Sequence, residues 1–232
     1  MWCNILMSNR APIATGEWYH CYTRGVDKRI VFETRSDYER FLAYLYIGNG
    51  TNLLRLSNIQ DKRLVSVLTN TRLQRGEPLV DIGAYTLMPN HAHFILRQTH
   101  DQGIATFMQR VFTGYTQYFN NKHERTGALF SGTYKSKHIL DDRYLKQVTA
   151  YVLLNPVELF EPAWKEGVGN LNHIEKQVRT YPYSSLVDFY GSQRPESSIT
   201  TNTLHAYYDQ RPSLTDMLAD AQAFYREHEP KA

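Results

Sequence analysis

The chain has 232 residues, of which 42% are hydrophobic and 21% charged, as is typical of one globular domain with or without an appendage. Two cysteines exclude a disulfide framework, and no stretch has the length of a membrane span or the pattern of a cleavable leader, so we expect a cytoplasmic protein. The formal net charge of +3 is uneven: residues 97–146 hold eight Lys and Arg against four acidic residues, whereas residues 196–232 hold six acidic residues against three Lys and Arg. This asymmetry favours a nucleic-acid partner, with a solvated charged face as the plainer alternative.

The first elements alternate between strand and helix. Residues 17–26 predict a strand that presents Trp18, His20 and Tyr22 on one face. The apolar spacing of residues 36–48 predicts a helix, with Ser36 as the expected N-cap and Glu39 three residues later.

Two strands are predicted next. Residues 50–77 are ambiguous and are expected to leave the core. Residues 79–98 predict a pair of strands hinged at Pro89-Asn90. In the second strand, alternation places His91, His93 and Ile95 on one face, and Ala92, Phe94 and Leu96 on the other.

The second half of the chain predicts three helices and a strand. Residues 132–140 alternate as a strand, and residues 141–157 predict a helix that ends near Pro156. Residues 191–202 are a candidate hinge before the last helix. The helix over 103–123 has an apolar stripe of Ile104, Phe107, Val111, Tyr115 and Tyr118, and the helix over 213–228 has one of Leu214, Met217, Leu218, Ala221 and Phe224.

This order of elements predicts an α+β fold. Strand, helix, strand pair, helix, strand and helix follow one another as in a ferredoxin-like split βαβ antiparallel sheet with helices on one face. We expect this domain over residues 15–190, followed by an acidic C-terminal helical tail over residues 191–232. The tail's apolar stripe should pack on the domain or on a second subunit, and its acidic face could compete with DNA.

His91 and His93 form a His-x-His pair on one strand face, from which both imidazoles can reach one metal ion. Alone, the pair is weak evidence, because such pairs are more often core histidines than metal ligands. Tyr151 and Asn155, four residues apart on the helix over 141–157, share a helical face and offer a third ligand and a phenol. Their alternative roles are a core aromatic and a helix-ending amide.

Two imidazoles and one amide oxygen suit a divalent ion such as Mg²⁺ or Mn²⁺, with positions left open for phosphate oxygens and water. Zn²⁺ prefers a further nitrogen or sulfur ligand that neither cysteine is placed to give. A phenol beside such an ion could attack a phosphodiester and retain the bond energy in its product. These residues together predict a DNA nicking and rejoining enzyme.

Five segments of the chain resemble, in order, the blocks of the single-tyrosine HUH transposases (IS200-like), specifically the REP-associated tyrosine transposases. The segments are YHCYTRGV, AYTLMPNHAHFIL, GALFSGTYKSKHILDD, YLKQVTAYVLLNPVE and YPYSSLVDFYG, within residues 18–190. The resemblance implies that Tyr151 is the catalytic nucleophile and that His91, His93 and Asn155 are the metal ligands. It also implies a single-stranded or hairpin DNA substrate of REP-like palindromes and a 5′-phosphotyrosine intermediate.

Several points stay open beside this resemblance. Arg24, Lys135, Lys137 and Arg143 are candidate DNA phosphate contacts or solvated surface residues. His20 is expected in the core or behind the metal site. The chain could be a monomer or a homodimer, associated with the nucleoid. The alternative function is a domesticated, non-cutting binder of hairpin DNA or RNA. A cupin-like enzyme is excluded by the helices, and a histidine-triad hydrolase by Ile95 at the place of a third histidine.

Overall fold

A computed structural model describes residues 12–167 and 170–228. Its centre is a four-stranded antiparallel sheet with the strand order β2-β3-β1-β4. The strands are β1 (Trp18–Arg24), β2 (Val80–Met88), β3 (His91–Gln98) and β4 (Lys135–His138). The first helix, α1 (Arg35–Gly48), lies between β1 and β2 in the chain, and α3 (Gly103–Lys122) lies between β3 and β4. This is the ferredoxin-like order, and the predicted fold class is confirmed.

The first hydrophobic core lies between one face of the sheet and the helices α1 and α3. Ala92, Phe94 and Leu96 of β3 belong to it, as the strand alternation predicts. In α3 the buried stripe includes Phe119, whereas the predicted Tyr118 is only partly buried and donates a hydrogen bond to Asp37. Phe119 lies four residues after Tyr115 and therefore on the same face of the helix, so the last buried residue of the stripe is Phe119 and not Tyr118.

The opposite face of the sheet is covered by α4 (Asp142–Leu154) and by the C-terminal helix α7 (Leu214–His228). Helices thus cover both faces of the sheet rather than the one face predicted, because Trp18, Ala84 and Ile95 form a second core with them. The predicted stripe of α7 is confirmed, since its buried residues are Leu214, Met217, Leu218, Ala221 and Phe224. Ser213 donates to the Asp216 carboxylate and accepts from the Asp216 amide, as an N-cap does. The tail helix therefore shares a core with α4 in the same chain.

The predicted N-cap of α1 was wrong. The N-cap of α1 is Thr34, not Ser36, because the Asp37 carboxylate accepts hydrogen bonds from the Glu33 and Thr34 amides and closes a capping box. The candidate hinge is held to the rest of the structure by Arg194. Its guanidinium pairs with Asp188 and donates to backbone oxygens of residues 182 and 184.

The ambiguous segment over 50–77 contains a short helix, α2 (Leu64–Leu68), which packs against α1. The expectation that this segment leaves the core was wrong, because its apolar residues are buried in the first core: Leu56, Ile59, Leu64, Val67 and Leu68. Two more helices, α5 (Leu171–Thr180) and α6 (Leu186–Phe189), complete the layer around α4. Within the described residues, none of the helices combines the length and the apolar character that a membrane span requires.

Candidate active site

The two histidines of the His-x-His pair lie on the sheet face that is covered by α4. In the pairing of β1 with β3, Tyr22 lies opposite His93 and Arg24 opposite His91. Both imidazoles are buried, and their rings stand at right angles with centroids 5.1 Å apart. Ile95, on the same face, belongs to the second core with α4. The predicted facing of this strand is confirmed.

Helix α4 brings Tyr151 and Asn155 to the histidines. Its N-terminus is capped by Asp141, which accepts from the Tyr144 amide, and its α-helical part ends at Leu154, directly before Asn155 and Pro156. Asn155 is 1% exposed, and its Oδ1 lies 3.0 Å from Nε2 of His91. The Tyr151 ring packs edge-on against His93, with centroids 5.5 Å apart. The structure therefore brings all four predicted residues together.

The surroundings of the His91 ring fit a cation. Its Nδ1 lies 2.6 Å from Oδ1 of Asn90, and its Nε2 faces Oδ1 of Asn155. Burial lowers the pKa of His91 to about 4, so the ring is neutral at pH 7 and has only one N–H to give to these two oxygens. If Nδ1 carries that proton and donates it to Asn90, then Nε2 of His91 and Oδ1 of Asn155 both keep lone pairs that could bind a cation.

The protein ligands for such an ion must include an amide. Within the described residues, no three His, Cys, Asp or Glu side chains gather as a metal site. His91 lies beside His93 and faces the amide oxygen of Asn155. Two imidazoles and one amide oxygen are compatible with Mg²⁺ or Mn²⁺ and do not complete the ligand set that structural Zn²⁺ requires.

A third histidine stands behind the pair. Nε2 of His20 lies 2.9 Å from Nδ1 of His93, and the two rings are stacked. Burial lowers the pKa of His20 to about 3 and holds that of His93 well below its usual value, so both rings are neutral. If Nδ1–H of His93 donates to His20, then Nε2 of His93 keeps its lone pair for a metal ion. Of the two roles left open for His20, the structure places it directly behind the site.

Tyr151 lies beneath the C-terminal helix. Its side chain is 5% exposed, and the Phe224 ring of α7 packs against it with centroids 4.6 Å apart. Phe224 also contacts His20 and stacks on Tyr144, which is two helical turns before Tyr151. The Tyr151 ring is therefore packed against α7 on one side, and little of its surface is exposed.

A cleft of about 410 Å³ opens beside these residues. Arg24 and Lys135, two of the predicted DNA contacts, line it together with His91, His93 and Tyr151. The other two, Lys137 and Arg143, line a neighbouring cleft of about 260 Å³ between α4 and α7. There Arg143 forms an exposed ion pair with Glu227 of α7, with 3.6 Å between Nη2 and Oε1. Only half of the predicted basic set thus lies at the histidines.

The sequence analysis missed several residues of the cleft. Tyr22 lines it and stacks on His93 at 5.6 Å, which its place in the alternation of β1 could have indicated. Thr23, Ser131 and Thr133 also line it. Ser131 and Thr133 precede β4 in the chain. They reach the site because the neighbouring Phe130 forms a backbone bridge with Gly25, directly after β1. No local sequence pattern marks such a contact.

Comparisons with known proteins agree with the predicted family. The family model described as "Transposase IS200 like" matches residues 57–155. Among solved structures, one titled "Structure of the REP associates tyrosine transposase bound to a REP hairpin" is similar over 90% of this chain and 93% of its own, with 13% identity and a TM-score of 0.47. At that identity and score, the likeness decides nothing about the site or substrate of this chain. A search of curated proteins found no match.

The matched range includes β2, β3, α3, β4 and α4, and it ends at Asn155. It therefore contains both histidines of the pair, the buried tyrosine and the amide that faces His91. The resemblance inferred from the sequence motifs is confirmed at the level of the broader family: residues 57–155 match the sequence model of the IS200-like transposases.

Proposed function

We propose that this protein nicks and rejoins single-stranded DNA at hairpin-forming repeats, with Tyr151 as the nucleophile. One observation carries the proposal. Two neutral imidazoles from β3 and the Tyr151 phenol from α4 line one cleft, with Arg24 and Lys135 on its wall, and the buried Asn155 amide oxygen faces His91. A merely structural cluster has no need of two imidazoles, an amide and a tyrosine beside an open basic cleft.

His91, His93 and Asn155 would hold one Mg²⁺ or Mn²⁺ ion. Bound there, the ion supplies Lewis-acid polarisation of a phosphodiester oxygen. The protein contributes the orientation of the ligands, through the contact of Asn90 with His91 and of His20 with His93. Arg24 and Lys135 would bind the flanking phosphates, Arg24 through its forked guanidinium and Lys135 through its compact ammonium group.

The proposed cleavage is a balanced transesterification. The Tyr151 oxygen forms a bond to phosphorus and gives up its proton, and the bond from phosphorus to the 3′ oxygen of the upstream nucleotide breaks. That oxygen takes up a proton and leaves as a 3′-hydroxyl, while the downstream strand stays attached through its 5′-phosphate. A later attack by a 3′-hydroxyl reverses the exchange, so no nucleotide cofactor is consumed.

Single-stranded DNA next to a hairpin is the substrate that we propose, in particular REP-like palindromes, as the family resemblance implies. In-line attack needs a backbone that can bend away from its neighbours, which a regular duplex resists and an unpaired strand allows. The basic middle of the chain would supply the sequence-independent part of the affinity.

One observation favours the second candidate function, a hairpin-binding protein that does not cut. Phe224 packs against the ring of Tyr151, which lines the cleft but is only 5% exposed, so α7 restricts access to the phenol. Under the proposed function, α7 shifts to expose Tyr151 further during cleavage. Under the alternative, α7 stays docked and DNA binds only at the surface.

The test is incubation with a 5′-labelled or 3′-labelled hairpin oligonucleotide and Mg²⁺ or Mn²⁺, followed by denaturing electrophoresis. The proposal predicts a covalent protein–DNA band that carries the 3′ label only, since the downstream fragment keeps its 5′-phosphate on the protein. Tyr151→Phe should bind the hairpin and give no band, and Tyr144→Phe is the matched control that should retain it. Binding by the wild-type chain without any covalent band under either metal supports the non-cutting alternative.

A further inference from the structure

A second cavity adjoins the active-site cleft on the other side of the sheet edge. It has a volume of about 530 Å³ and lies between α3 and residues 128–134, which lead into β4. Thr23 and Thr133 line both this cavity and the cleft that contains Tyr151. The two spaces therefore share a wall, and a strand that leaves the cleft around β4 meets the cavity next. We call it the α3 pocket.

The walls of the α3 pocket suit a neutral, planar group with hydrogen-bonding edges. Phe112, half-buried, stands in its wall, with Gln109, Thr113 and Gln117 exposed on the same side of α3. Carboxamides and hydroxyls supply both donors and acceptors. No Asp, Glu, Lys or Arg is among the described residues that line it. This composition disfavours a phosphate or other ion and favours a nucleobase, which stacks on aromatic rings and presents donors and acceptors at its edge.

Basic residues lie on either side of this uncharged pocket. Arg24 and Lys135 line the cleft on one side. On the other side, Gln109, Thr113 and Gln117 also line a third cavity of about 570 Å³, whose wall includes Arg55 and Arg110. The order along the surface is thus cation, uncharged pocket, cation. That order matches phosphate, base and phosphate along a single strand.

The segment over 50–77 forms part of the wall of the third cavity. Residues 53–57 of that segment form its wall opposite α3, and Arg55 is exposed there. The Arg110 guanidinium is fixed nearby by its hydrogen bond to the Gly50 backbone oxygen. The segment over 50–77 therefore extends the series of cavities beyond α3, while its Leu56 belongs to the first core.

We propose that the α3 pocket binds one unpaired base of the substrate strand, close to the scissile phosphate, and that Arg55 contacts the backbone beyond it. The proposal rests on the proposed function, since the strand is the one that Tyr151 cleaves. It adds a site of base recognition outside the metal centre, formed by α3 and the segment before β4. Removal of the base that enters the α3 pocket should lower the affinity of the protein for the hairpin oligonucleotide.

The test is a series of hairpin oligonucleotides with a single abasic site moved along the unpaired strand on both sides of the cleavage position. Affinity is measured by gel shift and cleavage by the covalent band. The wild-type chain should lose about 5- to 100-fold in affinity at one position, the loss expected when one stacked base is removed, and little at its neighbours. Thr113→Trp, which places an indole in the pocket, should bind the intact strand as weakly as the wild-type chain binds that abasic strand.

The two perturbations should not add. Thr113→Trp and the critical abasic site act on the same contact, so their combined loss should be close to that of either alone. Asn121→Trp, an exposed position of α3 that lines none of the three cavities, is the control and should keep the wild-type pattern. Arg55→Gln should lower affinity uniformly along the series and reduce the salt dependence of binding by about one phosphate contact.

The outcomes separate this site from the proposed function. Normal cleavage with equal tolerance of abasic sites at all positions overturns the α3 pocket as a base site and leaves Tyr151 chemistry standing. The same result follows if Thr113→Trp keeps the full sensitivity at the critical position. Absence of both binding and covalent band with every hairpin overturns the proposed function, and the base site with it.

Discussion

Truncation of Phe224 to alanine tests whether α7 controls access to the nucleophile. The side chain is 2% exposed and packs against Tyr151, Tyr144 and His228, with ring centroids 4.6, 5.8 and 4.9 Å away. A buried Phe→Ala change costs about 3–5 kcal/mol. For a chain of this size, each kcal/mol lowers the melting temperature by about 2–4 °C, so we expect a decrease of about 6–20 °C.

The same contacts hold α7 over Tyr151, so their loss also favours the open arrangement. If the docked state predominates and opening limits cleavage, a weakening of about 3 kcal/mol raises the open fraction, and the initial rate of covalent adduct formation, by up to about 100-fold. The assay is adduct formation at a temperature well below the melting transition of the variant. Met217→Ala is the matched control, because Met217 is buried in α7 but contacts Tyr190 rather than the active site.

A larger gain in Phe224→Ala than in Met217→Ala would show a local cover over Tyr151. Equal gains in proportion to lost stability would show that α7 detaches as a whole. If Phe224→Ala is destabilised as expected and binds the hairpin, yet forms adduct no faster than the wild-type chain, α7 does not restrict the nucleophile.

Three further changes test the ligands, their support and the pH response of the fold. His91→Ala should bind hairpin DNA in gel shifts but give no covalent band, with at most a slight recovery in excess Mn²⁺; a normal rate would rule out its role as a ligand. His20→Phe should lower the apparent affinity for Mg²⁺ or Mn²⁺ about 10- to 100-fold, as the loss of a group that orients a ligand does, and His20→Gln, which keeps an acceptor, should lose less. Burial alone would raise the pKa of Asp37, but hydrogen bonds from Lys122, Thr34 and Tyr118 outweigh it and hold that pKa below its usual value. Because the folded state binds this proton less tightly than the unfolded state, its stabilisation is present above the unfolded pKa and is lost as the pH falls through the lower folded pKa. Asp37→Asn should therefore melt earlier at pH 7 and lose less stability than the wild-type chain between about pH 5 and 3, as followed by circular dichroism.

The positions of side chains within a single strand or helix were predicted well from the sequence. Alternation along β3 placed His91 and His93 on one face, and the four-residue spacing on α4 placed Tyr151 above Asn155, because both depend only on the geometry of one element. The order of strands and helices was sufficient to predict the ferredoxin-like sheet, because few sheet topologies are compatible with that order.

Features that join distant parts of the chain were not predicted. The His20–His93 contact depends on the register of β1 against β3, and the cover over Tyr151 depends on a helix more than 60 residues later in the chain. The position of Lys137 outside the cleft follows from the pairing of β4 with β1, and Arg143 is held near α7 by its ion pair with Glu227. The N-cap of α1 was misplaced because Thr34, Ser36 and Asp37 are all good capping residues, and only the burial of Asp37 decides between them.

The central claim is that the DNA becomes attached to Tyr151. The positions of the trypsin sites in the chain allow this attachment to be measured directly. Trypsin cuts after Lys146 and Lys165, and the peptide 147–165 contains Tyr151 as its sole tyrosine, whereas Tyr144 lies in the peptide 144–146. The covalent complex is digested with nuclease and trypsin, and mass spectrometry locates the residue that carries the 5′-phosphonucleotide. We predict that the added mass is on Tyr151 in the peptide 147–165. A modified peptide 144–146, or a modified peptide that contains Tyr22, would contradict the assignment of the nucleophile.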